Sequence, residues 1–67
     1  MRETEIAAER AARESYGKLI AILAAHSADI AGAEDALSEA FAAALREWPQ
    51  VGVPAAPEAW LIKVARR

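Results

Sequence analysis

Four carboxylates, Asp29, Glu34, Asp35 and Glu39, follow one another in a stretch that holds no Lys or Arg between Lys18 and Arg46. Clustered acids suggest acid–base catalysis or metal binding. Catalysis needs a partner within proton-transfer reach, and no His, Lys or Cys lies at helical spacing from Glu34, Asp35 or Glu39. A dinuclear metal site in a helical bundle draws on Glu-x-x-His pairs, and no His follows any Glu by three positions. The single histidine, His26, reads as a residue at a helix C-terminus, where its charge suits the helix dipole. The chain has no cysteine, which excludes a disulfide scaffold, a thiolate metal site and a cysteine nucleophile. There is no Gly-rich phosphate loop. An enzyme is not expected, nor a metal, nor a cofactor. The other chemistry-bearing group is Lys63, Arg66 and Arg67 beside Trp60. Cations next to an aromatic ring suit single-stranded nucleic acid, whose bases stack and whose phosphates meet the charges.

The elements that must position these groups follow from composition. The chain has 67 residues, 55% of them hydrophobic, which supports one small domain over 1–67. Ala, the best helix former, is joined by Glu, Arg, Leu and Lys; β-branched residues are few and no stretch alternates with period two. An all-α domain is expected: a small three-helix bundle with its third helix truncated. No apolar run is long enough to span a membrane, and the first residues lack the apolar stretch of a signal peptide, so a cytoplasmic protein with no membrane partner is expected. A net charge of −2 speaks against a free-standing basic nucleic-acid binder.

The first helix is expected over roughly 4–26, capped by Thr4, with Ala12, Tyr16, Leu19, Ile20 and Leu23 as its apolar stripe and Glu9–Arg13 and Glu14–Lys18 pairs on its wet side. Gly17 either admits a close neighbour or is a tolerated flaw. Ser27 to Asp29 is a turn and cap signal. The second helix is expected over 29–48, with Ala33, Leu37, Ala40, Phe41, Ala44, Leu45 and Trp48 at helical period and Pro49 as its stop. A loop follows, with Val51 and Val53 tucked under the core. Pro57 suits the first position of a third helix over 57–67, on which Trp60, Leu61, Val64 and Ala65 share a face. The expected core is Tyr16, Leu19, Leu23, Leu37, Phe41, Leu45, Trp48, Leu61 and Val64. The helical pattern runs to Arg67 without a terminator, which reads as the front part of a longer protein.

Opposite its apolar stripe the second helix places Asp35, Ala42 and Arg46, flanked by Ser38 and Glu39. Ala42 and Ala43 flatten the middle of this side. Such a surface suits a basic helical partner; the alternative is a solvated helix face. On the third helix, Trp60 is either a stacking platform or core, and the three bases either meet phosphates or complement a helix C-terminus.

Three segments, Glu14-Ser-Tyr-Gly-Lys-Leu-Ile, Ala33-Glu-Asp-Ala-Leu-Ser-Glu-Ala-Phe and Pro57-Glu-Ala-Trp-Leu-Ile-Lys-Val-Ala-Arg-Arg, resemble in order and spacing region 2 of bacterial sigma-70-family factors. The likeness is to the extracytoplasmic-function group, and within it to a subgroup with a long C-terminal extension. The resemblance implies a helical domain that docks on core RNA polymerase, at the clamp helices of the largest subunit, and helps recognise and melt the −10 promoter element. It places Asp35, Leu37, Ser38 and Glu39 in the family's docking block, to which the helix face adds Ala42 and Arg46. The family usually has Gln where this chain has Ser38. Trp60, Lys63, Arg66 and Arg67 match the opening of the promoter-reading helix, and promoter DNA would be engaged by the full-length protein. The competing reading is a helical oligomerisation module that self-associates through the Ala-rich face between Ala40 and Ala44.

Overall fold

The computed structural model describes residues 3–67. Three helices follow in order, α1 (Glu3–Ser27), α2 (Ile30–Val51) and α3 (Pro57–Ala65). The all-α expectation holds. Among the described residues no helix is long and apolar enough to cross a membrane.

α1 and α2 form a helical hairpin, because the two residues between them leave no room for another course. Ala28 takes a left-handed φ of 59° and its N–H bonds back to the Ala24 carbonyl, which closes α1. Asp29 then opens α2 with extended backbone angles, and its Oδ1 accepts from Gly32 N at 3.0 Å. Gly32 has a local reason: a Cβ there would lie 2.5 Å from Asp29 Oδ2 and displace the capping carboxylate. The cap expected at Asp29 is therefore present. The cap expected at Thr4 is not, since Thr4 lies inside α1 and is buried.

Pro49 does not stop the second helix, which continues to Val51. A proline deletes one N–H of the ladder, here the donor for the Leu45 carbonyl, and the residues after it still have carbonyls to reach. The helix ends at Gly52, whose φ of 96° suits glycine and whose N–H donates to Trp48 O at 2.7 Å. Val53 in the loop packs against the core as expected, but Val51, also expected there, is the last residue of α2 and is 80% exposed. α3 starts at Pro57, with Trp60 N donating to Ala56 O at 3.1 Å, and it is shorter than expected, leaving Arg66 and Arg67 beyond its last residue.

The core joins Ala8, Leu19 and Leu23 of α1, Ala33, Leu37, Ala40, Ala44 and Trp48 of α2, and Leu61 of α3. Phe41, Val64 and Trp60 are half-buried and packed against it. Two expected core residues are outside: Tyr16 is 39% exposed and Leu45 51%. The cause is the size of the residues at the seam. α1 turns Thr4, Ala8, Ser15, Leu19 and Leu23 inward, so two small polar residues occupy buried positions and Tyr16 falls at the edge. α2 meets its neighbours through alanines, and closely approaching helices bury a narrow strip. At roughly 100° per residue Leu45 lies about 80° around from Leu37, outside that strip.

Candidate docking face and nucleic-acid end

The inner side of α2 fixes its outer side. Leu37, Ala40, Ala44 and Trp48 are sealed in the bundle, and the Asp29 cap sets where the helix begins. At roughly 100° per residue, Asp35 then sits about 160° from Leu37 and Arg46 about 180°. Asp35, Ser38, Glu39, Ala42 and Arg46 are all exposed, as expected. Among the described residues none of the three charged members makes an ion pair. The one salt bridge seen there is Glu9–Arg13 on α1, at 2.9 Å.

Two residues leave this surface. Leu37, placed in the docking block, is 0% exposed: it lies on the opposite side of α2, and its role is to hold the helix in the bundle. Ala43 is buried, on the flank of α2 that also carries Ala36. The flat middle is therefore Ala42 alone. The Ala40–Ala44 pairing surface does not exist as an exposed face, since Ala40, Ala43 and Ala44 are all buried. Leu45, read as core, instead stands in solvent beside Ala42 and Arg46.

The second cluster is less coherent. Trp60 packs its ring against Trp48 at 5.2 Å between centroids and 65° between planes, an edge-to-face contact that ties it to the core. Trp48 Nε1 is buried without a hydrogen-bond partner among the described residues, so the indole pair carries an uncompensated polar atom. Such pairs contribute about 0.5–1.5 kcal/mol, which offsets part of the cost of that N–H. Lys63, Arg66 and Arg67 are exposed. Because α3 ends at Ala65, Arg66 and Arg67 lie beyond the helix that carries Trp60. Arg66 instead borders a hollow of about 270 Å³ at the end of the bundle, with His26, Asp29 and Gly32. The structure thus places an acidic-to-basic stripe on α2 and a separate basic terminus after α3. Among the described residues no group of His, Asp or Glu could hold a metal ion.

A family model of sigma-70 region 2 matches residues 11–67. Comparison with curated proteins and with solved structures returned no match.

Proposed function

The chain belongs to the sigma-70 family, as its region 2, and from that premise we propose that the exposed side of α2 is its docking surface for core RNA polymerase. Region 2 of this family is a non-enzymatic transcription-initiation module that takes part in core binding and promoter melting. In this chain Asp35, Ser38, Glu39, Ala42 and Arg46 form the docking surface. Its target is the clamp helices of the largest polymerase subunit. Lys63, Arg66 and Arg67 meet promoter phosphates, and the half-exposed Trp60 ring stacks on a base of the opened −10 element. The factor belongs to the extracytoplasmic-function group, in the subgroup with a long C-terminal extension, and works in the cytoplasm.

The observation that carries this reading is the outward position of Asp35 and Glu39 on a helix whose reverse side is sealed. Exposed acids one turn apart steer a basic helical partner and fix its orientation. Their replacement is also free of packing cost, which makes the test clean. Replacing Asp35 and Glu39 together by Lys should weaken binding to core RNA polymerase by about tenfold or more, with an unchanged far-ultraviolet circular dichroism spectrum. Full affinity in the double variant, measured by fluorescence anisotropy with labelled chain, would place the docking surface elsewhere.

A further inference from the structure

α2 has two seams, and the bundle uses one of them. The inner seam is sealed. The outer seam is Ala31, Asp35, Ser38, Ala42, Leu45 and Pro49, all exposed. Their spacing alternates between four and three along the chain. That alternation presents a continuous strip to another helix. We propose that a second copy of this chain occupies the strip, with the two α2 helices antiparallel about a two-fold axis.

Charge selects this occupant and this direction. Glu39 and Arg46 flank the strip on the same side, seven residues apart. They are separated by about 10.5 Å of helix rise, too far to pair with each other, and neither has an ion-pair partner among the described residues. A strip with an acid toward one end and a base toward the other is complementary to its own reverse. In the antiparallel register Glu39 of each copy faces Arg46 of the other, and the two-fold axis makes this contact twice. A parallel pair would set like against like. The same register seats Leu45 of each copy on Ala42 of the other. A half-exposed leucine gains cover, and a methyl side chain allows close approach.

The pairing stands on exposure, spacing and charge. That it hides the polymerase-docking surface rests on the reading in the preceding subsection, since Asp35, Ser38, Glu39, Ala42 and Arg46 belong to both. One helix–helix seam is smaller than the roughly 1,000 Å² that marks a stable interface, so the dimer is weak, with a dissociation constant on the order of 100 μM. A polymerase surface of larger area displaces it.

Sedimentation equilibrium of the 67-residue chain up to about 1 mM tests the pairing. A reversible monomer–dimer equilibrium is expected. Arg46→Glu and Glu39→Arg, each alone, should weaken it by about tenfold or more, because two symmetric contacts turn repulsive. An equimolar mixture of the two single variants should associate again as a heterodimer, and the double variant should self-associate like the parent chain. Restoration in the mixture also shows that both variants are folded. A chain that stays monomeric to about 1 mM, or an association indifferent to the single reversals, or a mixture that stays dissociated, overturns the proposal. Addition of core RNA polymerase separates the two readings: loss of the homodimer supports a shared surface, whereas a ternary complex that keeps the charge-dependent dimer upholds the pairing and overturns the docking assignment.

Discussion

Gly17 lies in the interior of α1, exposed, and a Cβ built on it meets nothing within 4 Å. Of the two roles open to it in the sequence, close approach of a neighbour is therefore excluded. What remains is the entropic cost of a glycine in a helix. Gly17→Ala should raise stability by about 0.5–1 kcal/mol, visible as a higher midpoint in urea with an unchanged slope. Other residues show why single positions were harder to read than periods. Tyr16 and Leu45 are large and apolar at helical spacing, and hydrophobicity assigned both to the core. Burial went instead to Ser15, Thr4 and Ala43, whose side chains are small enough for helices to close upon. Hydrophobic weight and seam position diverge in an alanine-rich bundle, because proximity there is set by what is absent from the side chain. Leu37 shows the opposite case: it is buried as its hydrophobicity implies, and it leaves the docking block because it faces in while Asp35, Ser38 and Glu39 face out.

At the scale of an element, α2 was the most legible part of the chain. Its four-turn period, its Asp29 start and its outward acids are all present in the structure. Its end was not legible, since a proline forbids one hydrogen bond and not the turn that follows it. The start is also where the helix is most sensitive. Asp29 holds one of the orphan N–H groups of the first turn, and Gly32 leaves the room for it. Asp29→Ala should cost about 1 kcal/mol, read as a lower thermal midpoint, and Asp29→Asn should recover most of it. An alanine variant as stable as the parent would mean that the hairpin turn alone fixes the helix start. α3 was legible in its first residue, Pro57, and in its buried Leu61. Its length was not, because the sequence pattern runs past the point where the backbone leaves the helix.

The whole molecule has a radius of gyration of 11.3 Å and a core in which alanines are as numerous as leucines. Bundle architecture followed from composition and period, since three helices with apolar stripes bury them against one another. A domain of this size keeps little stability in reserve. Leu37 touches the centre of the core with no exposed surface, and Leu37→Ala should cost about 2–5 kcal/mol, enough to abolish the cooperative thermal transition in circular dichroism. A cooperative melt in that variant would show that the large side chains at the rim, Phe41 and Val64 among them, contribute more than their half-burial suggests. The two candidate surfaces divide along the same line. The acidic stripe was legible because exposure opposite a strong period is simple geometry. The basic end was only partly so, because it depends on where α3 stops.

The edge-to-face indoles of Trp48 and Trp60 join α2 to α3 and are the only two tryptophans in the chain. Two chromophores locked 5.2 Å apart at a fixed tilt couple their excited states and imprint a signed band on near-ultraviolet dichroism. That band depends on α3 staying against α2 and not on helix content. The domain thus contains its own optical gauge, able to tell the departure of the basic end from the melting of the bundle.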